Sequence, residues 1–107
     1  MKKFLATAFA LVTAANAYAG NAGLQVSGLQ VGTEPTGVRF VTGVATNTTN
    51  APIKSAFVQF NLYDAQDNLV GNTIANGVNI APGDRWVFKA DAAQQFDHAK
   101  LMSVDTY

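Results

Sequence analysis

His98 is the only histidine of the chain, and Met102 follows it by four residues, so on a helix an imidazole and a thioether would share one face and could hold a soft metal ion. On a strand the same two side chains lie too far apart to share an ion. With no cysteine and no second histidine the pair is not read as a metal site, and no cofactor is expected. Asp64, Asp67 and Asn68 offer oxygen ligands of the kind calcium takes, but the alternate-position carboxylates and closing glutamate of a specific loop are missing. A turn whose carboxylates accept backbone N–H bonds accounts for them better. Nucleophilic catalysis would require His98 to serve Ser27, Ser55 or Ser103, none of which stands in a Gly-x-Ser-x-Gly elbow. Paired carboxylates for glycoside hydrolysis usually need a deep cleft in a larger fold. The chain is therefore read as non-enzymatic. Tyr63, Trp86 and Phe57 form a candidate platform for a sugar or peptide; the plainer reading makes Trp86 core and Tyr63 a sheet-surface residue. Asn47-Thr48-Thr49 matches a glycosylation sequon and is read as a turn.

The elements that would position these residues are organised around Ala56-Phe57-Val58-Gln59-Phe60-Asn61-Leu62-Tyr63-Asp64. A period of two puts Ala56, Val58, Phe60 and Leu62 on one apolar face, with Phe57, Gln59, Asn61 and Tyr63 on a mixed one. Asp64 to Asn68 then supply turn chemistry before Leu69-Val70, the pattern of a hairpin. Upstream, Leu24 to Val31 reads as a strand whose apolar residues change parity near Gly28, where a bulge is expected. Phe40 to Asn47 is the next strand. Downstream, Ile74, Val78 and Ile80 predict one bent strand or two short ones. Ala81-Pro82-Gly83-Asp84 has the composition of a type II turn. Arg85 to Lys89 alternates with Trp86 and Phe88 inward, and Ala90 to Ala99 is the only segment able to make a helical turn. Lys100 to Tyr107 closes the chain as a strand, with Met102 and Val104 as its expected core residues. Six or seven short strands without a long helix indicate an all-β domain, either a two-sheet sandwich or a small barrel.

The first residues read as an address. Met1-Lys2-Lys3 is positive, Phe4 to Ala15 is apolar, and Ala17-Tyr18-Ala19 fits a signal-peptidase site, so cleavage after Ala19 is expected. The apolar run is too short to span a bilayer, and no cysteine follows for lipid attachment. Residues 1–19 are thus a signal peptide and residues 20–107 one domain, 88 of the 107 residues. The chain has seven basic and seven acidic residues; without Lys2 and Lys3 the domain carries five against seven, a net charge of about −2. That balance argues against nucleic acid or an anionic membrane surface as partner. Without disulfides, packing and ladder hydrogen bonds must supply the stability.

Phe60-Asn61-Leu62-Tyr63-Asp64 resembles the signature of the FxLYD domain family. Three further features occur in the family's order: Val41-Thr42-Gly43-Val44-Ala45-Thr46-Asn47, the Pro82-Gly83-Asp84 turn, and the aromatic Phe88 after it. The likeness runs over about residues 38–105. It implies an immunoglobulin-like antiparallel β-sandwich of six to seven short strands on an exported bacterial protein, with no established catalytic activity. One departure is Asp67-Asn68, where the family usually has an acidic or polar residue and then glycine; asparagine tolerates the left-handed conformation better than most residues, so the turn itself is not put in doubt.

The function expected is that of a non-catalytic interaction or structural module in the periplasm or extracellular space, whose partner is another envelope or extracellular protein. The alternative is a carbohydrate- or small-ligand-binding module using exposed aromatics; an exposed Trp86 would favour it and a buried one would remove its best anchor. The sequence is silent on oligomeric state.

Overall fold

The computed structural model describes the backbone of Val12–Thr13 and residues 23–107. The expected signal peptide and its cleavage position lie outside the described residues, apart from that dipeptide's backbone. The strands are β1 (Val12–Thr13), β2 (Leu24–Thr33), β3 (Arg39–Asn47), β4 (Ile53–Tyr63), β5 (Leu69–Ile80), β6 (Arg85–Asp91) and β7 (His98–Thr106). They form two sheets, one in the order β1-β7-β4-β5 and one in the order β2-β3-β6. All pairs are antiparallel except the short β1, which runs parallel to β7. The domain is an all-β sandwich.

β4 is central to its sheet, paired with β5 on one side and β7 on the other. Its inner face follows the period of two: Ala56, Val58, Phe60 and Leu62 are wholly buried. Against them the second sheet turns Leu24, Val26, Val31, Val41, Ala45, Phe88 and Ala90, which completes one core between the layers. The Phe60 and Phe88 rings meet at 6.0 Å across it. The parity change in β2 is reconciled at Gly28, where φ is +63° and the register with β3 shifts between Ser27 and Gln30.

Four local expectations need correction or completion. Met102 is exposed at 38 %, whereas Leu101 and Val104 are buried. The cause is a register shift opposite Gln59 and Phe60: Phe60 pairs with Leu101 and Gln59 with Ser103, so Met102 is the extra residue squeezed out of the ladder. The left-handed residue of the β4–β5 hairpin is Asp67 (φ +66°). The turn closes with Asp67 N–H donating to Asp64 C=O at 3.0 Å, and a left-handed residue commonly follows a type I turn at that point. β5 is a single twelve-residue strand, bent where Asn79 takes φ +55°. Residues 92–97 make no helix. Their backbone is tied to strand ends instead, Ala92 N–H to Arg39 C=O and Asp97 N–H to Tyr63 C=O, while Phe96 is buried under the Arg39 guanidinium.

The residues around Asn47 explain why the β3 motif and the Pro-Gly-Asp turn occur together. Asn47 is 1 % exposed. Its Nδ2 donates to the carbonyls of Ala51 and Ile80, and its Oδ1 accepts from the N–H and hydroxyl of Thr49. Its own N–H donates to Asp84 C=O, and its C=O accepts from Gly83 N–H. One amide therefore ties the β3–β4 loop, the end of β5 and the β5–β6 turn into a single corner. In that turn Gly83 has φ +83° and Asp84 N–H donates to Ala81 C=O, as a type II turn requires. With all polar atoms of its side chain committed inside the corner, Asn47 is unavailable as a glycan acceptor in the folded domain.

Gly43 lies opposite Phe88 in the β3–β6 ladder. A β-carbon there would stand 2.6 Å from a Leu29 methyl and 2.8 Å from the Phe88 ring, closer than real contacts allow. Gly43→Ala is expected to destabilise by about 1–3 kcal/mol, the cost of overpacking a closed core. Thermal melts check it: an unchanged midpoint would mean that the ring does not cross the backbone at this position.

Candidate interaction face

The outer face of β4 presents Phe57, Gln59, Asn61 and Tyr63, all half-buried, between rows from β5 and β7. Pairing sets Asn76, Ile74 and Asn72 of β5 opposite Phe57, Gln59 and Asn61, and Asp105, Ser103 and Lys100 of β7 on the other side. A surface rich in amides results. Asn72 Nδ2 donates to Asn61 Oδ1 (3.4 Å), and the Ser103 hydroxyl donates to Gln59 Oε1 (3.3 Å). Gln59, Asn72, Thr73 and Ile74 line a shallow depression of about 150 Å³ on the β5 side. Leu69, Val70, Ile74 and Val78 of β5 remain exposed.

The aromatic residues are already engaged. Phe57 meets Tyr107 edge-on at 5.9 Å. The Tyr63 ring stacks on His98 (5.5 Å, 13° between planes), and the Lys100 ammonium lies 4.9 Å from its centroid. Trp86 is not on this face: it is half-buried between the layers, 5.4 Å from Phe88 and over Gly77, where a β-carbon would stand 2.8 Å from the indole.

At one end of the face His98 lies between two carboxylates, Nδ1 at 2.9 Å from Asp97 Oδ2 and Nε2 at 2.7 Å from Asp67 Oδ1. Both ring nitrogens can donate only when the ring is protonated. The Asp97 hydrogen bond, followed by the Asp67 bond and the two charges, raises the His98 pKa above 6.5, with partial burial opposing them. Asp64 moves the other way. Bonds from the Asn68 backbone and side chain and from Gln66 N–H hold its pKa below 3.8.

The sign of the linkage is fixed by these directions. A histidine whose pKa is higher folded than unfolded stabilises fully below about pH 6.5, and the contribution disappears as pH rises through the raised folded value. Asp64 stabilises above its unfolded pKa and loses its contribution as pH falls through the lowered one. The melting temperature of the parent protein should therefore fall relative to that of His98→Gln as pH rises from 6 through the folded His98 value, and the imidazole proton shifts should titrate above the ordinary value. Parallel melting profiles of parent and variant would contradict the two-carboxylate clasp.

The remaining motif residues have structural positions. Phe60, Leu62 and Phe88 are core, Asp64 caps the hairpin, Gly43 makes room for a ring, and Asn47, Pro82 and Gly83 build the corner. Asp97, Lys100, Asn72 and Ile74 belong to the candidate face and were not marked by their spacing in the chain. Only the register of β5 and β7 against β4 brings them together. Among the described residues, no group of three or more His, Cys, Asp or Glu side chains could hold a metal ion. No protein-family model matches the chain, and neither a curated protein nor a solved structure matches it.

Proposed function

We propose that the chain is an exported bacterial protein whose domain is a non-catalytic interaction module of the envelope or extracellular space, binding another protein through the outer face of the sheet formed by β7, β4 and β5. The observation that carries this reading is the state of that face: amide-rich and bordered by exposed Ile74 and Val78, with its rings already in contact with neighbours. A sugar-binding platform needs rings free to stack. Trp86, the best anchor for that alternative, is turned inward, and Tyr63 is engaged by His98 and Lys100. The geometry also supports a non-enzymatic role, because both ring nitrogens of His98 are held by carboxylates, Nδ1 by Asp97 and Nε2 by Asp67, which leaves neither directed at a hydroxyl nucleophile.

Membership of the FxLYD family and an immunoglobulin-like fold belong to the same proposal. Support comes from the order of crossings: β3 to β4, β5 to β6 and β6 to β7 all change sheet, while β2–β3 and β4–β5 stay within one. Quantitative pull-down from envelope extract tests the function. The parent should retain a discrete protein, Asn61→Lys should lose it, and Val87→Lys on the opposite sheet should keep it. Competition by soluble oligosaccharides would instead favour the carbohydrate reading.

A further inference from the structure

β5 is the last strand of its sheet, and among the described residues none pairs with its far side. The groups that face that side follow from β4. Ser55 exchanges both hydrogen bonds with Tyr107 on the β7 side, at 2.9 and 3.4 Å. Residues of an antiparallel strand point their N–H and C=O alternately to one neighbour and the other. Ala56, Val58, Phe60 and Leu62 therefore bond to their opposites Gly77, Ala75, Thr73 and Gly71 in β5. Asn72, Ile74, Asn76 and Val78 direct their backbone groups outward. The chain caps this row at both ends with side chains, Gln94 Nε2 donating to Val70 C=O at 2.6 Å and Asn47 Nδ2 to Ile80 C=O at 2.9 Å. Between the caps, no described group bonds to the outward row.

Proteins usually blunt such edges with charges, proline or a bulge. The edge strands of the other sheet follow this: β2 has its bulge at Gly28, and β6 carries Arg85, Lys89 and Asp91. The open part of β5 has none of these. No charged residue occurs from Asn68 to Gly83, the register is unbroken from Gly71 to Gly77, and Ile74 and Val78 are exposed beside the edge.

We propose that the window from Asn72 to Val78 is a self-association edge, at which two copies of the chain join β5 to β5 antiparallel about a two-fold axis. A second copy is the occupant that the charge pattern fits, because an uncharged strand meets itself without opposing like charges. The hydrogen-bonding residues fit too. Centred on Ala75, the pairing sets Asn72 against Val78 of the partner subunit and Ile74 against Asn76 of the partner subunit, so outward-facing groups meet outward-facing groups. The β7-β4-β5 sheets of the two copies become one continuous sheet.

Sedimentation of the purified protein from micromolar to millimolar concentration tests this without any other partner, so its outcome is separable from that of the outer-face proposal. A monomer–dimer equilibrium is expected. Asn76→Pro removes an outward N–H that the β4–β5 ladder does not use, and Ile74→Lys sets a charge at the window. Each should weaken dimerisation by at least about tenfold while the dilute protein still melts cooperatively. If one variant fails to fold, the other decides. A parent that stays monomeric throughout, or a dimer that a folded variant leaves unchanged, overturns the proposal.

Discussion

Phe60→Ala should destabilise the domain by about 3–5 kcal/mol, the range for truncating an enclosed ring. Phe60 is wholly buried, and its ring contacts Phe88 across the two layers, so the cavity would open where the sheets meet. Its neighbours Val58 and Leu62 are fixed on the same strand and cannot close that space without breaking the ladders to β5 and β7. Small domains have a total stability of about 5–15 kcal/mol, so the loss removes a large share of it. Urea denaturation followed by Trp86 fluorescence reads the effect, and the midpoint should fall by more than about 1 M. A variant melting within a degree or two of the parent would show that the ring is not enclosed.

The second large effect is expected at Asn47. Asn47→Ala leaves the Ile80 carbonyl without its donor inside the corner, at about 1–3 kcal/mol for an unsatisfied buried group. Asn47→Asp should cost more. It keeps the acceptor for Thr49 but turns a second carboxylate oxygen toward the Ala51 and Ile80 carbonyls, burying an uncompensated charge. Burial would raise the folded pKa of that carboxyl, so the deficit relative to the parent should shrink as pH falls through it. Paired urea melts at neutral and acidic pH decide the matter. A deficit that does not change with pH, or Asn47→Asp as stable as the parent, would contradict the corner described here.

Both effects concern residues whose importance was visible along the chain to different degrees. Phe60 announced its position through the alternation of β4, because burial of one sheet face imposes a period of two on sequence. Gly28 was legible for a related reason, since a change of parity within one strand requires a bulge. Met102 was not, because the matching irregularity lies in the pairing of β7 with β4, and no local pattern in Lys100 to Tyr107 records it. Which residue of the turn from Asp64 to Asn68 is left-handed was not legible either, because it depends on the Asp67–Asp64 hydrogen bond that closes the turn. Asn47 was recognisable as a motif residue, but its role depends on Ile80 and Asp84, more than thirty residues away.

The candidate face was legible only in part. Phe57, Gln59, Asn61 and Tyr63 share a side of one strand, and that much follows from spacing. Their setting comes from β5 and β7, whose register against β4 is a tertiary fact. The stacking of Tyr63 on His98, and the two carboxylates that hold His98, join the end of one strand to a turn, a loop and the start of another. The inward turn of Trp86 over Gly77 likewise depends on how the layers meet at β5 and β6.

The central claim is that a partner protein sits on the outer face of the sheet formed by β7, β4 and β5. Site-specific photo-crosslinking in the producing cell tests it most directly, with a photoreactive side chain placed at Gln59 in one strain and at Val87, exposed on the other sheet, in a second. The account predicts a discrete adduct with a protein other than the chain itself from the Gln59 position and none from Val87. Equal labelling from both positions, or an adduct from Val87 alone, would contradict it.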